Sequence, residues 1–484
     1  MGTFRHYSEF AAGKQARRVV RGIGEQVQFT FFPKNYSLFE PPLIDGVHLR
    51  FFLKFDAVPR FLLPYILDRK NTYGNFLIKQ HVFQKLVVEF SSPNITSEFQ
   101  GENLRNTVIG TFIGRLYESM GWDVTRINYL GGWVKYGSEG AYEADPVGHL
   151  LQVYHRIEEE FKPEQAANKP ARDEVAKEGE RVRNANIDNH TEFYERLGIR
   201  FDKYTGDTYL LRDLAAVLER ARKYSFDKMI YVVASDNSVH FGQLIKILEA
   251  LDFKDLASKL QHVKFSETSR MVTALGKVYK PQGILDAYEE AMKALTGSDS
   301  NKLALVGELD KAKEALATSA LLIQELSTRL VTAHAFDTST TASFKLGSGP
   351  DLQYWLTRLH PLLKNIDSAA EPSDEDYELL AEEDHANHLR ILAQYPKVVK
   401  ATYSSLEPAD IVTYLASVTE QLAECLAEDD ETEEADGENE GITPGLAALY
   451  EATSTVLENG MNLLGIVPVA ASFSPEREDT PVIG

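Results

Sequence analysis

The sequence lacks several features that would place it in a class at once. A single cysteine, Cys425, excludes an internal disulfide. No apolar run approaches the roughly 18 residues that a helix needs to span a bilayer, and no spacing of histidine and cysteine is typical of a metal site. The first residues are basic around short apolar stretches and do not form the apolar core of a signal peptide. We therefore expect a cytoplasmic protein with no membrane partner, no metal and no cofactor.

Basic residues are also fewer than acidic ones. The chain has 72 acidic against 51 basic residues and a formal net charge of −21. Such a protein is not an obvious nucleic-acid binder, and no DNA partner is expected. Net charge does not exclude RNA, because a local basic patch can bind phosphates. The best such cluster is Lys14–Arg18 with Arg21, although an exposed amphipathic helix or a disordered start of the chain is the preferred interpretation.

The chain is long enough for two or three domains, since it has 484 residues of which 43% are hydrophobic. A buried strand is predicted at 86–88, a helix at 106–120 and a second strand at 124–129. Another strand and helix are predicted at 229–233 and 244–251. Strands that alternate with helices favour a parallel sheet, whose ligands bind beyond the carboxyl ends of the strands.

The second half of the chain has a different pattern. After about residue 297 the apolar residues recur almost wholly at helical spacing. The acidic run 428–440 interrupts this pattern and is predicted to be a solvated loop, with a partner-binding segment as the alternative. The charged stretch 158–189 is predicted to be exposed helix or an insertion.

Two signature blocks indicate a family. The sequence from Glu89 to Ile95 and from Glu98 to Arg105 closely resembles the first signature of arginyl-tRNA synthetases. In that family a His-x-Gly-His motif binds the nucleotide. The four matching positions here are Gln100, Gly101, Glu102 and Asn103. An anionic side chain beside a triphosphate is repulsive.

The second signature departs from the family in the same way. Where the synthetases have a Met-Ser-x-Arg/Lys-Lys-Gly loop, the chain reads Met271 to Gly276, with Ala274 and Leu275 at the basic positions. Cations at a transferring phosphoryl group supply several kcal/mol of transition-state stabilisation. We therefore expect the ATP chemistry to be lost.

The residues that form the amino-acid pocket of the same family are, in contrast, retained in this sequence. Tyr209 and Asp213 match the family's Tyr-x-x-x-Asp block, and Asn94 matches the residue that holds the amino end of arginine. Asp207 stands where the family has a second acid, and Asn237 replaces a glutamine. Two charge-assisted hydrogen bonds from a guanidinium to a carboxylate contribute roughly 1.5–3 kcal/mol each. Without the resemblance, Asp213 would be interpreted as a helix cap or a surface acid.

The resemblance covers nearly the whole chain and implies its architecture. We expect an α/β Rossmann-like catalytic domain of the class I aminoacyl-tRNA synthetase type, followed by an all-α domain that resembles an anticodon-binding domain. The predicted limits are a shortened N-terminal domain at 1–84, the catalytic domain at 85–296 with an insertion around 150–205, and the helical domain at 297–484 with its acidic loop 428–440.

An arginine pocket without ATP chemistry requires arginine that is already activated. The combination resembles the fungal arginine-containing cyclodipeptide synthases. This resemblance implies a transferase of secondary metabolism that works without ATP. It would join arginine from arginyl-tRNA to the aminoacyl group of a second aminoacyl-tRNA and form a cyclic dipeptide. Ser91 and Ser92, at a strand end, are candidate nucleophiles for an acyl-enzyme. The alternatives are a divergent arginyl-tRNA synthetase, or an inactive paralogue that binds tRNA or arginine. The pattern does not identify the second amino acid, the oligomeric state or the mode of tRNA binding.

Overall fold

The structure is a computed structural model. It describes residues 39–40, 43–45, 48–52, 54, 57–75, 84–93, 99, 101–130, 190–206, 210–275, 281–295, 297–306, 310–364, 372–436 and 442–469.

The strands and helices that the structure describes are numbered in chain order. The strands are β1 (Leu43–Asp45), β2 (His48–Arg50), β3 (Lys85–Glu89), β4 (Asp123–Leu130), β5 (Lys203–Gly206), β6 (Lys228–Ala234), β7 (Leu260–Phe265), β8 (Thr268–Ser269) and β9 (His334–Ala335). The helices are α1 (Ala57–Arg69), α2 (Gly101–Ser119), α3 (Leu210–Tyr224), α4 (Ser238–Ala250), α5 (Lys254–Ser258), α6 (Met271–Leu275), α7 (Gln282–Lys293), α8 (Ser298–Val306), α9 (Asp310–Leu326), α10 (Thr338–Thr341), α11 (Gly349–Lys364), α12 (Asp374–Leu379), α13 (Glu383–Leu392), α14 (Tyr395–Ser405), α15 (Ala409–Asp436) and α16 (Pro444–Leu464). Residues 190–196 are helical as well.

A five-stranded parallel sheet organises the first half of the chain. Its strand order is β5-β4-β3-β6-β7, and every neighbouring pair is parallel. β3 lies at the centre and its residues from Leu86 to Glu89 are buried, as expected for a strand with helices on both faces of the sheet. The carboxyl ends of all five strands therefore meet at one edge.

Helix α2 is the central packing element of this unit. It begins at Gly101, five residues before the predicted start, and 14 of its 19 residues are buried. It packs against β3, β4 and β6 and also against α9. The approach to β3 is so close that a methyl group on Gly110 would lie 2.1 Å from the ring of Phe90. Only glycine fits there.

Helices α3 and α4 pack together and share a second apolar cluster with the sheet. Helix α3 has the period of an amphipathic helix, since the buried Val217 and Arg220 share a face and Glu219 and Arg222 are exposed. The cluster includes, from the strands and both helices, Val87, Ile127, Val217, Met229, Tyr231, Leu244 and Leu248.

The described residues divide into two compact units. The larger unit contains the sheet and its helices. The smaller unit takes the described residues up to Tyr73, together with Leu359–Gln394 and Gln421–Val456. Within this smaller unit α1 packs against α12 and α13, and the Tyr73 hydroxyl donates a hydrogen bond of 3.0 Å to the carbonyl oxygen of Leu392.

Two predicted boundaries need correction. The insertion was predicted to run to residue 205, but β5 is paired with β4 and belongs to the central sheet. The prediction of a loop at 428–440 was also wrong for its first part, because α15 continues to Asp436. Glutamate and alanine are good helix formers, and they can extend a helix that is already nucleated upstream. Residues 437–440 and 158–189 lie outside the described residues.

The parallel α/β sheet followed by helices confirms the predicted fold class. The limits 1–84, 85–296 and 297–484 stay predictions. None of the helices in the described part of the chain is long and apolar enough to cross a membrane.

Candidate functional site

The backbone turns sharply where β3 ends at the carboxyl edge of the sheet. Ser91 and Ser92 have φ angles of 69° and 46°, a left-handed conformation that costs a non-glycine residue roughly 1–2 kcal/mol. Two asparagine side chains hold this turn. The N–H of Ser91 donates to Oδ1 of Asn106 at 2.9 Å, and the N–H of Ser92 donates to Oδ1 of Asn128 at 3.0 Å. Neighbouring elements therefore impose the strained conformation.

The Ser91 hydroxyl is buried in a small network of hydroxyl groups. Its Oγ lies 2.7 Å from the Tyr194 hydroxyl and 2.7 Å from Oγ1 of Thr107. Both partners are hydroxyl groups, and neither is a general base that could activate a serine. These contacts lend no support to Ser91 as a nucleophile. That role, and the role of the half-buried Ser92, stay predictions.

A buried ion pair lies at the same edge. Glu89, the last residue of β3, pairs with Arg220 of α3, and the two residues are 9% and 8% exposed. The Arg220 guanidinium also lies 5.7 Å from the ring centre of Tyr129 and interacts with the hydroxyl of Tyr231. Burial raises the pKa of the Glu89 carboxyl, although the Arg220 charge opposes the rise.

Asp213 lies beside this pair, in the first turn of α3. Its Oδ2 accepts a hydrogen bond of 2.8 Å from Nε2 of His240 in α4. Its charge is close enough to add to the rise in the pKa of Glu89 and of Tyr231. Two acids, one arginine and one histidine thus gather at the carboxyl edge, where a parallel sheet binds its ligands.

The other predicted pocket residues are not brought into this cluster by the described contacts. Asn94, Asp207 and Tyr209 lie outside the described residues. Asn237 is half-buried in the turn after β6, and its Nδ2 donates to Oδ1 of the adjacent Asp236 at 2.9 Å. The roles of these four residues stay predictions.

The residues of the first signature open α2. Gln100 lies outside the described residues, while Gly101, Glu102 and Asn103 form the first turn. Burial raises the pKa of the Glu102 carboxyl, and the charges of Asp236 and Glu267 raise it further. The start of α2 is therefore an acidic environment.

The second signature lies in the short helix α6. Ala274 is exposed and Leu275 is half-buried, so neither position offers a cation. The preceding residue, Arg270, is exposed and has a left-handed φ of 62°. Among the described residues of this segment, Arg270 is the basic residue nearest in sequence to Ala274 and Leu275.

Sequence reasoning missed four members of the cluster, which are Glu89, Arg220, Tyr231 and His240. A signal existed for Arg220, since residues i and i+7 share a helix face and Arg220 follows Asp213 by seven. His240 gave no such signal, because nothing in the sequence relates α4 to α3. Among the residues that the structure describes, no three His, Cys, Asp or Glu side chains are grouped to hold a metal ion.

Models of two protein families match the chain. The catalytic domain of class I tRNA synthetases (R) matches residues 63–189 and 178–338. The DALR anticodon-binding domain matches residues 352–471. These matches cover the sheet and the helical segments, and they agree with the class I catalytic and anticodon-binding types that the fold prediction named.

Curated relatives are similar along most of their length. The cytoplasmic arginine–tRNA ligase of Saccharomyces cerevisiae is 31% identical over 88% of this chain and 82% of the relative. The mitochondrial arginine–tRNA ligase of the same yeast is 30% identical over 88% and 77%. The arginine–tRNA ligase of Encephalitozoon cuniculi is 30% identical over 85% and 84%. Because both compartments occur among these relatives, the predicted cytoplasmic location is not decided by them.

Solved structures have the same fold. The arginyl-tRNA synthetase of Thermus thermophilus superposes with a TM-score of 0.64 at 17% identity, covering 94% of this chain and 92% of that one. The synthetase from Plasmodium falciparum gives a TM-score of 0.67 at 16% identity, covering 94% and 88%.

These matches overturn the predicted function. The hypothesis of a cyclodipeptide synthase of secondary metabolism is wrong, because the relatives that match both parts of the chain are named as arginine–tRNA ligases. Nothing in the matches supports a second aminoacyl-tRNA as a partner. The alternative of a divergent arginyl-tRNA synthetase is favoured. Identity of this level, over this share of the chain, together with both family models, shows that the chain belongs to the class I arginyl-tRNA synthetase family.

Proposed function

We propose that the protein is a divergent arginine–tRNA ligase, which joins arginine to its tRNA with ATP. The proposal is supported by family membership and by one structural observation, the anionic cluster at the carboxyl edge of the sheet. Asp213, held by His240 beside the Glu89–Arg220 pair, carries the proposal because a guanidinium needs a carboxylate of this kind.

The charges of the cluster fit one cation. Glu89 and Arg220 neutralise each other within a buried ion pair. Asp213 then contributes the remaining negative charge, and it is the group that would bind the guanidinium of arginine. Asn94, Asp207, Tyr209 and Asn237 would surround the rest of the amino acid, as the family pattern implies.

The proposed macromolecular partner is the arginine-accepting tRNA. Residues 352–471 match an anticodon-binding domain, so the helical part of the chain is where we expect the tRNA to be recognised. Arginyl-tRNA would then be the product of the reaction rather than its substrate.

A second candidate follows from the first turn of α2. If the triphosphate binds where the first signature binds it in the family, Glu102 would face it, with Asp236 and Glu267 close enough to raise the pKa of Glu102 further. Such repulsion favours an inactive paralogue that binds arginine or tRNA without forming the adenylate. The loss of the family's histidines and basic loop residues points the same way.

The proposal is tested by charging tRNA with labelled arginine in the presence of ATP. We expect arginyl-tRNA to form, and we expect Asp213→Asn to lower kcat/KM for arginine about 10- to 100-fold, because a charge-assisted pair contributes roughly 1.5–3 kcal/mol. The matched control is Asp255→Asn, since Asp255 is a highly exposed acid of α5. The kcat/KM of the Asp255→Asn variant for arginine should equal that of the wild type.

Exchange of pyrophosphate into ATP separates the two candidates. Arginine-dependent exchange supports the ligase. Arginine binding without exchange supports the inactive paralogue. A triple variant that restores the family pattern, Gln100→His with Glu102→Gly and Asn103→His, should then gain exchange activity if those three positions are the cause.

A further inference from the structure

We propose that His240 is a positioning residue that orients the Asp213 carboxylate and thereby makes the pocket select a cationic side chain. This inference rests on the proposed arginine site and adds a residue to it. It concerns a side chain that acts through Asp213.

The contact joins two helices that pack against each other. Asp213 is in the first turn of α3 and His240 is in the first turn of α4. Nε2 of His240 donates to Oδ2 at 2.8 Å. An aspartate side chain near the start of a helix has several accessible rotamers, and a hydrogen bond of this length selects one of them.

The selected rotamer leaves acceptor sites for a ligand, because Oδ1 has no partner among the described residues and Oδ2 keeps a second lone pair. The Asp213 side chain is 23% exposed, so a ligand can reach it. The carboxylate therefore presents its remaining acceptors in one defined orientation beside the neutral Glu89–Arg220 pair.

His262 is a matched control for His240. Both imidazoles contact the ring of Phe241, His240 at 5.5 Å and His262 at 4.6 Å between ring centres. Nε2 of His262, however, donates to the carbonyl oxygen of Val233 at 2.9 Å. The two histidines share an aromatic neighbour and differ in whether they hold a carboxylate.

The experiment is a double-mutant cycle read out by ligand affinity. Dissociation constants are measured by calorimetry for L-arginine and for L-citrulline, its neutral isostere, on the wild type, His240→Phe, Asp213→Asn and the double variant. His240→Phe should weaken arginine about tenfold, which corresponds to about 1.4 kcal/mol, and should change citrulline affinity little. In the Asp213→Asn background, His240→Phe should have no further effect.

Two further variants separate positioning from folding. His240→Gln keeps an N–H donor and should recover part of the arginine preference. His262→Phe should lower the melting temperature without changing the ratio of citrulline to arginine affinity. Additive effects of His240→Phe and Asp213→Asn, or an unchanged ratio in His240→Phe, would overturn the inference while leaving the arginine site in place. A wild type that binds arginine no better than citrulline overturns the proposed function and the inference together.

Discussion

A methyl group on Gly101 would lie 1.9 Å from the carbonyl oxygen of Thr268. The first residue of α2 is therefore in direct contact with the backbone of β8, which pairs with β9 and precedes α6. The first signature segment is thus packed against the strand that leads into the second one. The close approach explains the glycine at position 101 without reference to catalysis.

Gly101→Ala should destabilise the larger unit, because backbone atoms cannot move away from a new methyl group without shifting β8. We expect a loss of about 1–3 kcal/mol in the free energy of unfolding, the usual cost of overpacking. Gly242→Ala is the control. Gly242 lies within α4 with no atom within 4 Å of the added methyl, so alanine should stabilise this helix by about 0.5–1 kcal/mol. Equal melting temperatures for the two variants would contradict the prediction.

Arg105 should be intolerant of substitution by lysine. Its side chain is fully buried, and its guanidinium donates to four backbone carbonyl oxygens, those of Ser266, Thr328, Arg329 and Thr332. An ammonium has three donors and cannot reach all four acceptors. Arg105→Lys should lower the free energy of unfolding by about 2–4 kcal/mol, as buried carbonyls lose partners.

Chemical denaturation measures the effect of the Arg105 change. The exposed Arg222 of α3 is the control, and Arg222→Lys should stay within about 0.5 kcal/mol of the wild type. If both lysine variants unfold at the same denaturant concentration, the four hydrogen bonds do not contribute as the geometry indicates.

Arg220→Met should make stability depend more strongly on pH. Burial raises the pKa of Glu89, so the stability contributed by this group is fully present below its unfolded pKa and is lost as the pH rises through its folded pKa. Without the Arg220 charge the folded pKa rises further, and at neutral pH the variant should lose about 3–5 kcal/mol. Adding Glu89→Gln should recover part of this loss and remove the added pH dependence, as seen in urea midpoints. A double variant that is less stable than Arg220→Met would refute this account.

His388 should make the smaller unit sensitive to acid. Burial, with a contribution from His385, lowers the pKa of His388 to about 3, and its Nε2 lies 2.7 Å from Oγ1 of Thr453. The folded pKa lies below the unfolded value of about 6.5, so stability is present above that value and falls by about 1.4 kcal/mol per pH unit as the pH drops from it towards the folded pKa.

The pH dependence of urea unfolding, followed by a probe in the smaller unit, tests this. His388→Gln should be less stable than the wild type near neutral pH and should show a shallower decline between about pH 6 and about pH 4. A variant with the same slope as the wild type would mean that another group takes up the proton.

Local pattern was enough for the fold class and for the family. The fold class follows from the alternation of strands and helices in 86–129 and 229–251, which is visible in the spacing of apolar residues along short segments. The family follows from the signature blocks, which are contiguous in the chain. The same reasoning failed at the acidic run after Glu428, because composition does not reveal that a helix already formed upstream continues to Asp436. It also failed on function, where departures at Gln100 to Asn103 were given more weight than similarity along the whole chain.

The sequence by itself determined the strands and helices predicted in 86–129 and 229–251, since period, propensity and turn residues act over a few positions. Only the tertiary structure decided which side chains meet at the carboxyl edge. Glu89 and Arg220 are 131 positions apart and pair because α3 packs beside β3 and β6. Asp213 and His240 meet because α3 and α4 lie on the same apolar cluster. Contacts of this kind depend on how the sheet and its helices pack, and no local pattern encodes them.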